Sequence, residues 1–174
     1  MKLIAFTGLP RSGKDTAADY IVATFGFRRF QYSEPLKQAA AVLLNRPVEQ
    51  MRGADGFDRE AVMPEWGFSV RWFLQVLGTE CMRDCVRKDF WVQHMRNTLA
   101  GVDRAVITDL RFENEAALVR SLGGIVVQVW RPGVQASAHV SDAGVIADTT
   151  IFNGGTVLDL KQSADTLVRE YGLT

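Results

Sequence analysis

The chain has 174 residues, 47% of them hydrophobic and 23% charged, with 20 Lys and Arg balancing 20 Asp and Glu at zero formal net charge. That composition predicts a globular protein folded as one domain over 1–174 with a substantial core. A pI near 6.7 excludes the global basic field that recruits nucleic acid polymer or an anionic membrane, and no apolar run approaches the roughly 18 residues that span a bilayer, so the expected location is cytoplasmic.

In chain order, short apolar strands are predicted near 2–7, 28–32, 104–109, 125–130 and 148–152. Helical patterns fill the intervals at about 14–25, 34–44, 68–87, 90–100, 112–122 and 157–171. This alternation is the signature of a parallel sheet with helices on its faces, an α/β fold. Thr156 and Asp159 form a capping pair for the last helix. Two segments, 45–67 and 132–147, lack sustained periodicity and read as lids or binding loops. Cys81 and Cys85 fall on the apolar side of the 68–87 helix with Val70, Phe73, Leu74 and Leu77, so they are expected to be reduced core residues. His94 and His139 are too far apart in sequence to suggest a metal cluster.

The first strand runs into Gly8-Leu9-Pro10-Arg11-Ser12-Gly13-Lys14, and a helix follows. This is the spacing of a phosphate-binding loop, G-x-x-x-x-G-K, in which glycines let backbone N–H groups wrap phosphates and the lysine reaches the β- and γ-phosphates. The helix that follows points its positive end at the same anion. The residue after the lysine is ordinarily a Ser or Thr that holds Mg²⁺. Here it is Asp15, with Thr16 one place later, so the metal position falls to one or the other. That shift resembles nucleoside monophosphate kinases and argues against switch GTPases and motor ATPases.

Ligands of open parallel sheets bind outside the carboxyl ends of the strands, which puts Asp109 and Arg111 at the same rim as the loop. Asp109 suits Mg²⁺, directly or through water, and Arg111 offers a planar fork for phosphate oxygens. The alternative for these two is helix capping and surface pairing with Glu113 or Glu115. On the 68–87 helix, Arg71, Gln75, Thr79 and Arg83 recur every four residues beside Gly78. Such a stripe fits a nucleotide's phosphate and base edge, or equally a solvated polar face. Lys37 lies one turn into the second helix, within reach of an acceptor phosphate. Arg131 ends the fourth strand and opens the 131–147 segment, where it is a candidate lid arginine with His139 and Asp142 further along. Trp66, Trp72 and Trp91 are candidates for base stacking, with core packing as the alternative.

Taken together in order, GLPRSGKDTAADYI, SEPLK, FLQVLGTECMR, VITDLRFENEA, GGIVVQVWRP and FNGGTVLDL resemble the bacteriophage deoxynucleoside monophosphate kinases of the T-even type. The similarity runs over nearly the whole chain. It implies a three-layer P-loop kinase fold with a five-stranded parallel sheet, an acceptor-binding region at about 33–100 and a short lid at about 131–147. It also implies that Gly8, Arg11, Ser12, Gly13, Lys14, Asp15 and Thr16 bind ATP and Mg²⁺. Lys37, Arg71, Gln75, Thr79, Arg83 and Arg111 would then bind the acceptor, with Lys14, Asp109, Arg111 and Arg131 serving catalysis. The GTVLDL segment would lie near the adenine. The expected partners are small nucleotides, in the host cytoplasm if the chain is phage-encoded, and the resemblance is consistent with a homodimer. A small-metabolite kinase of the phosphomevalonate or dephospho-CoA type, or a nucleotide-dependent switch, are the rival expectations.

Overall fold

The computed structural model describes residues 1–134 and 145–174, and no described helix is long and apolar enough to cross a membrane. The strands of the main sheet are β1 (Lys2–Thr7), β2 (Arg28–Phe30), β3 (Arg104–Ile107), β4 (Ile125–Trp130) and β5 (Thr149–Phe152). The helices are α1 (Lys14–Phe25), α2 (Ser33–Leu44), α3 (Val48–Arg52), α4 (Val70–Gln75) with a π-helical continuation over Val76–Val86, α5 (Phe90–Thr98), α6 (Glu113–Ser121) and α7 (Val157–Glu170). The chain divides into two compact units, one of Met1–Gln31 with Met95–Thr174 and one of Tyr32–His94.

The first unit is the five-stranded sheet, ordered β2-β3-β1-β4-β5. Every pairing is parallel, with Ile4 of β1 opposite Val106 of β3 and Ala5 opposite Val126 of β4. Side chains alternate across a strand, so Ile4 and Phe6 face one side and Leu3 and Ala5 the other. The first side packs Ala17, Ala18 and Ile21 of α1 and Leu160, Ala164, Leu167 and Val168 of α7 against Val127, Val129 and Ile151. On the other side α6, with buried Ala116 and Val119, packs on β1 and β4. Burial on both faces explains why β1 and β4 read as nearly continuous apolar runs rather than alternating ones.

The second unit has its own core of Ala40, Ala41, Leu44, Met51, Met63, Val70 and Leu74. Residues 45–67, expected to be a loop, instead contribute α3, a 3₁₀ turn over Ala54–Gly56 and a short antiparallel hairpin of Val62–Met63 with Phe68–Ser69. A helix of five residues is shorter than the window in which helical periodicity can be seen. Met51 at 0% exposure and Met63 at 4% anchor the segment.

A second difference concerns the cysteines. Both Cys81 and Cys85 are exposed, not core, because the chain passes from α to π-helix at Val76. An i→i+5 ladder turns less per residue than an α-helix, so the apolar stripe drawn through Leu74 and Leu77 does not continue to Cys81. Gly78 takes the buried position, and Met82 is half-buried. A Cβ on Gly78 would lie 2.7 Å from Leu36 Cδ2 on α2, so the glycine is a site of close helix packing.

Met51→Ala should therefore destabilise the protein by about 2–5 kcal/mol, the usual cost of emptying a core methionine site, in urea unfolding. A surface-loop methionine would show almost no change.

Candidate active site

β1 delivers the chain at Thr7 into a loop with unusual backbone: φ is +128° at Gly8, +63° at Arg11 and +106° at Gly13. A Cβ on Gly8 would sit 2.5 Å from the Val129 carbonyl oxygen, and one on Gly13 would sit 2.5 Å from Asn153 Nδ2. Both glycines are required twice over, by dihedral and by contact. Arg11 adopts the left-handed region at a cost of about 1–2 kcal/mol, the kind of strain that collects at functional loops. Lys14 opens α1 and folds back, its ammonium donating to the carbonyls of Gly8 at 2.8 Å and Leu9 at 2.7 Å. Ser12, 1% exposed, offers its Oγ to the same ammonium at 3.5 Å. A cation, a glycine-rich loop and the positive end of a 12-residue helix meet here, a combination that suits a polyanion.

The carboxylate of Asp15 pairs with Arg29 of β2. The same guanidinium bonds Asp19 Oδ1 at 2.7 Å and reaches Thr108 Oγ1 at 3.5 Å. Asp15 is thus engaged by an arginine, while Thr16, in the first turn of α1, is half-buried. Sequence reasoning missed Arg29. It sits beside Arg28 in a three-residue strand, and no spacing marks it out.

At the end of β3 the Thr108 N–H donates to the Phe30 carbonyl of β2 at 3.2 Å, and the Leu110 N–H donates to the Phe6 carbonyl of β1 at 3.2 Å. These two bonds tie the residues on either side of Asp109 to the carboxyl ends of β2 and β1, the second of them two residues before Gly8. Glu115, 4% exposed, then accepts the backbone N–H groups of Arg111 at 2.8 Å and Phe112 at 3.1 Å. Its carboxylate fixes the chain on which Arg111 is mounted and satisfies donors at the start of α6. The cap position is Phe112, not Asp109. Glu113 faces elsewhere, accepting the Ile146 N–H at 2.6 Å and lying 3.7 Å from Arg120.

Arg131 is exposed directly after β4; His139 and Asp142 of the expected lid lie outside the described residues. After β5, Asn153 is 8% exposed, and its side-chain amide donates to the Ser12 carbonyl at 2.8 Å. Sequence reasoning missed this residue too, because its partner is 141 positions away. Thr156 and Asp159 form the expected reciprocal cap of α7. The Thr156 backbone N–H and hydroxyl hold the Asp159 carboxyl below its ordinary range.

In the second unit, Arg71 and Gln75 on α4 and Thr79 and Arg83 on the π-helix are all half-buried, as is Lys37 on α2. Arg71 Nε lies 3.6 Å from Glu60. Trp66 and Trp72 flank Phe68 and are 42% and 50% exposed, whereas Trp91 is tied down by donating its indole N–H to the Gly78 carbonyl at 2.8 Å.

Glu115→Ala should lower stability by about 1–3 kcal/mol, the penalty for leaving buried donors unpaired, in chemical denaturation. Glu115→Gln, which keeps an acceptor oxygen, should lose less.

Comparison with known proteins follows the same lines. The family model for deoxynucleotide monophosphate kinase matches residues 2–63 and 50–164. A chain of Acanthamoeba polyphaga mimivirus named for that activity is 34% identical, the match covering 90% of this chain and 91% of its own. The deoxynucleotide monophosphate kinase of Enterobacteria phage T4 is 25% identical over 92% of this chain and 95% of its own. Among solved structures, a dephospho-CoA kinase from Campylobacter jejuni superposes with a TM-score of 0.50 at 16% identity, covering 98% of this chain and 97% of its own. The Thermus thermophilus protein TT1252 gives 0.53 at 15% identity, covering 97% and 96%. At these identities the two structures speak for the fold alone.

Proposed function

We propose, since the chain belongs to the deoxynucleotide monophosphate kinase family, that it transfers the γ-phosphoryl group of ATP to a deoxynucleoside monophosphate, giving ADP and the diphosphate. The observation that carries this reading is the hydrogen bond from Leu110 to Phe6. It ties the chain between Asp109 and Arg111 to the end of β1, the strand that runs into the loop ending in Lys14, which supports this reading.

The acceptor in this reaction is a phosphate oxygen already largely ionised near neutral pH, the second phosphate pKa being about 6. No strong general base is needed, and catalysis reduces to alignment and charge neutralisation. In this reading the backbone N–H groups of residues 8–13 cradle the donor's phosphates, and Lys14 exchanges its carbonyl partners for phosphate oxygens. Arg111 neutralises charge on the transferring group, with Arg131 adding a second positive charge. Lys37, Arg71, Gln75, Thr79 and Arg83 are the proposed acceptor-binding set of the second unit.

Mg²⁺ fits the donors present. Thr16 and Asp109 supply hard oxygens, and Mg²⁺ in phosphoryl-transfer sites takes one or two protein oxygens with phosphates and water completing its shell. The bond between Asp15 and Arg29 favours Thr16 over Asp15 for that role. When bound, the ion offsets charge on the β- and γ-phosphates.

Lys14→Ala should reduce turnover by at least about 10³-fold, in line with losing a charged transition-state donor, with unchanged circular dichroism; near-normal turnover by the folded variant contradicts the assignment. Arg111→Ala should lower kcat by about 10²–10³-fold on the same grounds while shifting Tm little, since the backbone N–H that Glu115 accepts at this position is kept in the variant. Coupled ADP release over a panel of dNMPs, NMPs, phosphomevalonate and dephospho-CoA tests the acceptor. Highest kcat/KM on a dNMP is expected, and preference for either metabolite overturns the reading.

A further inference from the structure

A loop that binds phosphate with its N–H groups must aim them inward, and a peptide plane is rigid, with its C=O and N–H pointing in opposite directions. Whatever holds a loop carbonyl outward therefore aims the following N–H inward. For the Ser12–Gly13 peptide that holder is Asn153. Its Nδ2 donates to the Ser12 carbonyl at 2.8 Å in a buried setting. The Asn153 backbone is fixed in turn, its N–H donating to the Trp130 carbonyl at the end of β4 at 2.7 Å. The amide also occupies the space that a Gly13 side chain would need, 2.5 Å from the position of a Cβ, with Leu160 Cδ2 of α7 3.0 Å from the same point.

We infer that Asn153 is a positioning residue of the donor site, whose side-chain amide holds the Ser12 carbonyl so that the Gly13 N–H faces the phosphates of ATP. The inference rests on the reading of residues 8–14 as the ATP-binding loop, but not on the identity of the acceptor. Without this bond the Ser12 carbonyl is left buried without its amide donor, and the peptide gains by rotating toward another one. A rotated peptide presents a carbonyl to the phosphates in place of an N–H. The loss falls on the donor, because the atoms Asn153 meets, the Ser12 carbonyl and Gly13, belong to the donor loop.

The test compares Asn153→Ala and the near-isosteric Asn153→Asp, which sets a carboxylate oxygen against the Ser12 carbonyl. ATP binding is read by calorimetry and KM for ATP and acceptor by coupled assay. Expected is an ATP Kd raised about tenfold or more in Asn153→Ala, the equivalent of one hydrogen bond to a charged group, and further in Asn153→Asp, with the acceptor KM unchanged. Unchanged ATP Kd in the folded variants overturns the inference, as does a proportional loss for both substrates that tracks a fall in Tm. A readout on the unsubstituted protein covers variants that do not fold: the Asn153 side-chain amide protons should exchange slowly with D₂O, and fast exchange overturns the inference. Parent protein that binds ATP but phosphorylates no dNMP sinks the proposed acceptor and leaves Asn153 in place; parent that binds no ATP sinks both.

Discussion

A backbone loop can present its N–H groups to an anion only if its carbonyl groups are accommodated elsewhere, since buried polar groups left unpaired are costly. For three of the loop carbonyls that requirement is met by two side chains. The Lys14 ammonium takes the Gly8 and Leu9 carbonyls, and the Asn153 amide takes that of Ser12. Lys14 follows the loop directly, and Asn153 arrives from the far end of the chain. The loop is thus a product of the whole sheet: Gly8 is pressed on the Val129 carbonyl and Gly13 on Asn153, so the strand pair β4 and β5 shapes a loop emitted by β1.

The same logic of holding backbone so that charge can be aimed operates on the other side of β1. Glu115 turns its buried carboxylate to the N–H groups of Arg111 and Phe112, fixing the backbone on which an arginine is mounted. The Leu110 bond to Phe6 then ties that mount to β1. Fixed placement of positive charge is what a phosphoryl-transfer site requires, because the reaction asks the protein for alignment and electrostatics more than for bond-making. The Asp15–Arg29–Asp19 group is different in kind. It is largely exposed to solvent and contributes little stability by itself, but it occupies the carboxylate that stands where a metal-binding hydroxyl is usual.

Much of the sheet was legible because parallel strands buried on both faces write themselves as short apolar runs, and β1 and β4 match their expected limits, 2–7 and 125–130. The glycine loop was legible because its chemistry is contiguous in sequence. The segment at 45–67 was not, since its elements are too short to show a period and are held by Met51 and Met63 in the second unit's core. The cysteines were misread for a subtler reason. Periodicity arguments assume 3.6 residues per turn, and the helix carrying Cys81 and Cys85 abandons that period at Val76.

The sequence by itself determined the α/β class, the anion-binding loop and the presence of Asp109 and Arg111 at the carboxyl end of a strand, because each of these is encoded by neighbouring residues and by strand polarity. Only the tertiary structure decided that Asp15 goes to Arg29, that Glu115 holds the Arg111 backbone and that Asn153 holds the loop. The physical reason is range. Dihedral preference and hydrophobic period act over a few positions along the chain, whereas a side-chain hydrogen bond such as that from Asn153 to Ser12 is set by which strands lie side by side.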